Sequence, residues 1–161
     1  MRGGYTPLHL AADAGQVEAI ATLVAVGAAV DTPSTKGLTP LALALMKGPS
    51  NVEAICLLVE LGAAVDALIE QRGLETPLHI AARSGRADVL ERLLASPQIR
   101  PTVRTRDGST ALHYAAAFGQ THVLEPLVRA GCPVDSRDNA LNTPLHLAAG
   151  VCVREAGAAA T

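Results

Sequence analysis

Large aromatic side chains are almost missing from this sequence. Its 161 residues include one Phe, two Tyr and no Trp. A compact core of this size normally uses several large rings, so the composition does not favour a conventional globular domain. Ala, Leu and Val supply most of the apolar residues instead. Such small side chains suit thin layers that are stacked in a row.

Strong net charge, long apolar runs and paired cysteines are also missing. The net charge is −2, so composition gives no reason to expect a nucleic acid or a membrane surface as partner. No apolar run approaches the roughly 18 residues of a membrane span, and no apolar leader precedes the first motif, so we expect no membrane insertion. Cys56, Cys132 and Cys152 are scattered, which predicts a reducing, intracellular location, cytoplasmic or nuclear.

The sequence repeats one seven-residue motif five times. The third position of the motif is always leucine, at Leu8, Leu41, Leu78, Leu112 and Leu145. Successive leucines are 33, 37, 34 and 33 positions apart. In the third copy, Thr76 can cap a helix and Pro77 suits its first position, where no donor is needed. A glycine and a second periodic segment follow, so each unit predicts a helix, a tight turn, a second helix and a polar connector.

A period near 33 residues combined with Thr-Pro-Leu-His-x-Ala resembles the ankyrin repeat. The resemblance implies an all-α fold, an ankyrin-repeat solenoid of stacked helix-turn-helix units with β-turn or hairpin connectors. It covers a single array over residues 1–161, with repeats at about 4–36, 37–72, 73–107 and 108–139 and a partial fifth at 140–153. Residues 154–161 are expected to form a frayed tail, and the array is expected to be a piece of a longer one.

Several departures from the repeat pattern lead to specific expectations. Repeat 2 has Ala42 in place of the histidine and is longer in both of its connectors, where extra length is tolerated. Pro126 lies inside the second helix of repeat 4, so we expect its side chain to face outward and the helix to bend there. Leu141 occupies the place of a connector glycine. The five motif leucines are expected to form one continuous buried row.

Four histidines raise the question of metal or catalytic chemistry, and they share one motif position: His9, His79, His113 and His146. Stacking spaces them by one repeat, roughly 10 Å, whereas zinc ligands lie about 2 Å from the metal. In ankyrin proteins this histidine hydrogen-bonds its own turn and the neighbouring connector, so the resemblance implies a structural role. No phosphate loop, metalloprotease motif or nucleophile elbow is present. We therefore expect neither enzyme activity nor a cofactor.

Residues 72–106 contain seven arginines against three acidic residues. A solvated face is the commoner reason for such a run. In ankyrin proteins, however, the two residues after Ala-Ala and the connector tips face a concave groove that holds the partner. For repeats 3 and 4 the resemblance places eight residues at or beside this groove: Arg83, Ser84, Arg104, Arg106, Ser109, Tyr114, Ala117 and Phe118. For Tyr114 a packing role stays as open as a binding role.

The resemblance implies a non-catalytic protein-protein interaction module or scaffold whose partner is another protein. Arginine and aromatic side chains together suggest an acidic or phosphorylated peptide across repeats 3 and 4, with an apolar anchor on Phe118. The alternative is that these residues are ordinary exposed side chains and that binding uses another face. Two other functions stay open, the targeting arm of a larger enzyme or channel and, less favoured, nucleic-acid binding through the arginine-rich segment.

Overall fold

The computed structural model describes residues 3–47 and 51–150, and their secondary structure consists of helix pairs that follow the repeats. The first helices of the four repeats are α1 (Pro7–Asp13), α3 (Pro40–Met46), α5 (Pro77–Ser84) and α7 (Ala111–Ala117). The second helices are α2 (Val17–Ala25), α4 (Val52–Glu60), α6 (Ala87–Leu94) and α8 (Leu124–Arg129). Residues 144–150 are also helical and stand where the first helix of a fifth repeat is expected.

Each first helix begins directly after a motif threonine. Before α5, the backbone N–H and the hydroxyl of Thr76 lie 3.2 Å and 2.8 Å from Nδ1 of His79, and Pro77 occupies the first helical position. The helix ends at Gly85, whose φ of 66° is in the left-handed region. A Cβ at Gly85 would collide with the side chain of Gln120 from the next repeat. Glycine is therefore favoured here by its left-handed backbone, and a larger residue would displace the Gln120 side chain.

The helix pairs stack in sequence order into two layers. In the first layer α1 packs on α3, α3 on α5 and α5 on α7, while in the second layer α2 packs on α4 and α4 on α6. Four motif leucines form a buried row, none more than 3% exposed: Leu8, Leu41, Leu78 and Leu112. Fully buried alanines such as Ala12 and Ala82 let neighbouring helices approach closely. The expected all-α repeat solenoid is confirmed.

The fifth motif leucine does not continue the buried row. Leu145 is 76% exposed and borders an apolar groove together with Val128 and Val134. Leu112, one repeat earlier, is buried beneath α8 and residues 144–150, and the described part of the chain has no such cover for Leu145. The expectation of five buried leucines is therefore wrong for Leu145.

The second helix of repeat 4 accommodates its proline by changing helix type. Residues Thr121–Val123 form a short 3-10 helix, and α8 begins only at Leu124. This places Pro126 in the first turn of α8, where its missing N–H has no intrahelical partner to lose. The bend expected inside a continuous helix is thus replaced by a 3-10 to α transition. Pro126 is half-buried at this position.

The long connector between repeats 2 and 3 folds into an element of its own. Residues Glu70–Arg72 form a 3-10 helix, and Ile69 and Glu75 form an isolated antiparallel bridge. This is where the second insertion of repeat 2 lies. The first insertion falls partly on residues 48–50, and the tail expected at 154–161 falls wholly outside the described residues.

Two leucines replace the connector glycine two residues before a motif threonine. Gly4, Gly37 and Gly108 have φ values of 64°, 67° and 78° at this position. Leu74 and Leu141 adopt the same backbone, with φ values of 67° and 65°. A leucine in the left-handed region is strained because its Cβ crowds the backbone, so the repeat geometry overrides local preference at both places.

Candidate functional site

A hydrogen-bonded histidine in the first helices of repeats 1, 3 and 4 fixes the position of the next connector. Nδ1 of His9 accepts from the backbone N–H of Thr6 at 3.1 Å, so Nε2 carries the proton and donates to the carbonyl of Leu38 at 2.8 Å. Two further histidines make the same contacts: His79 with Thr76 and Ser109, and His113 with Thr110 and Asn142. Repeats 1, 3 and 4 are thereby each tied to the following repeat through a buried side chain.

The hydrogen bonds of these histidines suit a structural role. Burial lowers the pKa of His79, and the hydrogen bond to the carbonyl of Ser109 and the nearby Glu75 carboxylate offset this only in part. His146 keeps the local contact, with Nδ1 2.7 Å from the hydroxyl of Thr143. Across residues 3–47 and 51–150, no group of three His, Cys, Asp or Glu could hold a metal ion.

An open groove lies between α5, α7 and residues 144–150, on the face that carries the connectors. Its volume is about 400 Å³. Five of the residues expected at the binding surface line it: Arg83, Ser109, Tyr114, Ala117 and Phe118. The remaining lining residues are Glu75, Asp107, His113, Asp138 and Leu147. We call this surface the repeat 3–4 groove.

A buried carboxylate holds two of the groove residues in place. Glu75 is only 5% exposed, and its carboxylate accepts from Nε of Arg72 at 2.8 Å and from Nη1 of Arg83 at 3.1 Å. The hydroxyl of Tyr114 donates to the same carboxylate at 3.2 Å. Burial, followed by the charges of Glu75 and Asp107, raises the pKa of Tyr114 to about 12. The side chains of Arg83 and Tyr114 are therefore fixed before any partner arrives.

Sequence reasoning missed Glu75, although one signal was available. Glu75 directly precedes a motif threonine, and the equivalent residues in the other repeats are uncharged: Tyr5, Leu38, Ser109 and Asn142. Repeat 2 also lacks the histidine whose Nε2 would reach the carbonyl of Glu75. That carbonyl accepts from the N–H of Ile69 at 2.8 Å, a connector hydrogen bond that the equivalent carbonyls of Leu38, Ser109 and Asn142 also make. Glu75 therefore keeps the regular connector bond but has no histidine beneath it.

Two further carboxylates of the groove have no cation beside them. Asp107 accepts from the hydroxyls of Thr105 and Ser109, and Asp138 accepts from the N–H groups of residues 140 and 142 at 3.0 Å and 2.8 Å. Burial acts to raise the pKa of Asp107, but the hydrogen bonds from Thr105 and Ser109 outweigh it, and the pKa is lowered. Within the described ranges, neither carboxylate has a Lys or Arg nitrogen within 4.0 Å.

Phe118 presents a large apolar surface at the wall of this groove. It is the C-cap residue of α7 and is 57% exposed. Tyr114, one turn earlier, also packs edge-on against the ring of His79, with the ring centroids 5.3 Å apart. Tyr114 therefore combines a packing contact with a position in the groove, whereas Phe118 is open to solvent.

The other three expected residues do not line the groove. Ser84 is exposed, and its hydroxyl donates back to the carbonyl of Ile80 at 2.8 Å. The guanidinium of Arg104 donates to the carbonyls of Gly108 and Arg137 at 3.2 Å and 2.7 Å, which ties two connectors together. Arg106 is exposed on the connector tip. The groove is thus richer in carboxylates than in arginines, which does not favour an acidic ligand.

The arginine-rich segment is largely neutralised by carboxylates. Four of its seven arginines form ion pairs: Arg72 and Arg83 with Glu75, Arg92 with Glu60, and Arg100 with Asp66. Arg86 is buried. The segment therefore does not present the continuous positive surface that phosphate backbones attract. None of the described helices has the length and apolar character needed to cross a membrane.

The capped first helices, stacked pairs and connecting histidines define a helical repeat solenoid, and the sequence comparison identifies the family. Residues 2–69 and 78–155 match the family model for ankyrin repeats, described as three copies. The chain belongs to the ankyrin-repeat family. Among curated proteins, alpha-latrotoxin-Lt1a of Latrodectus tredecimguttatus is 33% identical to it over 119 residues. That similarity spans 66% of this chain and 8% of the toxin's length.

Proposed function

We propose that this chain is a non-catalytic protein-binding module that holds its partner in the repeat 3–4 groove. The observation that carries the proposal is Phe118, 57% exposed at the wall of the groove in a chain with only three aromatic residues. Exposed aromatic side chains beside a concave surface are typical of interface hot spots. Ankyrin repeats generally mediate protein-protein interaction, which supports the same class of function.

Rigidity of the groove is a second argument for binding. Arg83 and Tyr114 are held by the buried Glu75, and the connector that carries Ser109 is tied to α5 through His79. A surface whose side chains are already ordered loses little conformational entropy when a partner binds. This arrangement suits a scaffold that recognises a defined segment of another protein.

The proposal can be tested with one matched pair of variants. Wild-type protein, Phe118→Ala and Val26→Ala are immobilised, and the proteins that each captures from a cell extract are quantified by mass spectrometry. Val26 is 76% exposed at the end of α2, away from the groove, and so controls for the loss of an exposed apolar side chain.

A captured protein is then purified, and its dissociation constant is measured directly. We expect Phe118→Ala to weaken it by at least about fivefold, or 1 kcal/mol, with Val26→Ala unchanged. Equal binding by all three forms would reject the groove.

A second candidate is that the array serves as the targeting arm of a larger protein. It is favoured by one observation, that the chain spans only 8% of the length of alpha-latrotoxin-Lt1a. Recovery of the complete coding sequence tests it: an additional enzymatic or membrane domain in the same reading frame supports this candidate, and an open reading frame that contains ankyrin repeats alone contradicts it.

A further inference from the structure

Carboxylates outnumber guanidinium groups among the residues that line the repeat 3–4 groove. Three carboxylates line it, those of Glu75, Asp107 and Asp138, and one guanidinium, that of Arg83. Glu75 is neutralised because it pairs with both Arg72 and Arg83. Within the part of the chain that the structure describes, Asp107 and Asp138 are consequently the groove carboxylates that have no Lys or Arg nitrogen within 4.0 Å.

Both carboxylates are already oriented. Hydrogen bonds from Thr105 and Ser109 hold Asp107, and Asp138 is held by two backbone N–H groups of its turn and by the side-chain amide of Asn142. The oxygens of both carboxylates keep further lone pairs for a donor from the ligand.

Apolar surface flanks these carboxylates. Ala117, Phe118 and Leu147 line the same groove as Asp107 and Asp138. A lysine or arginine side chain is complementary to this surface, because its aliphatic stem packs on apolar surface while its charged end reaches a carboxylate. A ring such as that of Phe118 also attracts a cation placed over its face. An acidic side chain would meet like charge at this position.

We infer that the partner inserts a lysine or arginine, next to an apolar residue, between Asp107, Asp138 and Phe118. The inference rests on the proposed function, since it names the partner chemistry of that groove. The connector arginines do not contradict it. Arg104 is bound to two carbonyls, and neither Arg106 nor Arg137 lines the groove.

The test starts from a library of random linear peptides displayed on phage and selected on the folded protein. We expect the enriched sequences to share a lysine or arginine beside an apolar residue. The best peptide is then titrated against wild type, Asp138→Asn, Asp107→Asn and the control Asp88→Asn, which makes the same change on the exposed start of α6. Asparagine at position 138 can still accept the two backbone hydrogen bonds of the turn on its one oxygen but loses the hydrogen bond from the side-chain amide of Asn142, so its melting temperature is measured beside its affinity.

The expected result is a dissociation constant about tenfold higher for Asp138→Asn and Asp107→Asn, and unchanged for Asp88→Asn. Replacing the basic residue of the peptide by glutamine should weaken binding to wild type by a similar factor and to Asp138→Asn much less. Selection of acidic peptides, of no peptide, or of peptides that bind both Asp variants like wild type overturns the inference. If Phe118→Ala still weakens the selected peptides, the groove stands and only the basic ligand is wrong. If Phe118→Ala has no effect, the proposed function fails as well.

Discussion

The hydroxyl of Tyr114 donates to the carboxylate of Glu75 at 3.2 Å, although the two residues are 39 positions apart in the sequence. Glu75 lies at the end of the long connector and Tyr114 lies in α7, so the contact spans the stacking of repeat 4 on repeat 3. The contact joins the end of the long connector between repeats 2 and 3 to the wall of the groove. The departure from the regular repeat is therefore part of the candidate site.

Removing the charge of Glu75 should loosen the groove and destabilise the array. Glu75→Gln leaves the half-buried guanidinium groups of Arg72 and Arg83 without a counter-charge. We therefore expect a loss of about 1–3 kcal/mol in the free energy of unfolding. Glu70→Gln makes the same change at an exposed position of the same connector and should have little effect. Urea unfolding of both variants provides the measurement, and equal stability of the two would contradict the role assigned to Glu75.

Stability should fall at alkaline pH because of Tyr114. In the unfolded chain a tyrosine ionises near its ordinary pKa of 10, whereas the pKa of folded Tyr114 is about 12. Between these values the folded state binds more protons than the unfolded state, so the free energy of unfolding decreases as pH rises from 10 to 12. Tyr114→Phe removes this group, and the decrease should be smaller in that variant. Identical pH profiles for the two proteins would be inconsistent with the buried hydroxyl.

Relief of backbone strain at Leu141 should stabilise the fifth repeat. Leu141 has a φ of 65° and is 68% exposed, so Leu141→Gly removes strain without opening a cavity. We expect a gain of about 0.5–1 kcal/mol, which is the strain energy less the greater chain entropy of glycine in the unfolded state. Leu10→Gly, at a 53% exposed position within α1, should instead lose about 1 kcal/mol. Thermal unfolding of the two variants provides the measurement. A loss of stability in both Leu141→Gly and Leu10→Gly would show that Leu141 is not strained.

The contrast between Leu78 and Leu145 tests which motif leucines belong to the core. Leu78→Ala should lower the free energy of unfolding by about 2–5 kcal/mol because it leaves a cavity in the stack. Leu145→Ala removes the same atoms from a side chain that is 76% exposed, and should cost less than about 1 kcal/mol. A loss of several kcal/mol at Leu145 would mean that other residues cover it in solution.

Much of the fold could be predicted from the sequence because its signals are local. Thr76, Pro77 and Gly85 specify the start and end of α5 within ten residues, and the same pattern recurs in the other repeats, with Ala111 in place of the proline in repeat 4. The 3-10 helix that precedes α8 and Pro126 was harder to predict, because a 3-10 turn can shift the start of a helix without any change in the apolar pattern. The burial of Leu145 depends on neighbouring helices, which the motif itself does not encode.

The site was less predictable because its contacts are distant in sequence. Position in the repeat was sufficient to place Arg83, Tyr114 and Phe118 at the groove, but it could not show that Glu75 pairs with the first two. Arg104 was expected to face a ligand and instead bonds to carbonyls of two connectors. Such pairings follow from the exact offset of one repeat on the next, which is set by the packing of whole helices.

The most direct measurement of the central claim is a titration of isotope-labelled protein with the selected peptide, followed by amide chemical shifts. If the repeat 3–4 groove is the binding surface, the largest shifts should fall on Asp107, Tyr114, Phe118 and Asp138, while α2 and α6 remain unchanged. Phe118→Ala should abolish these shifts at the same peptide concentration. Shifts concentrated on the second helices, with the groove residues unmoved, would contradict the account.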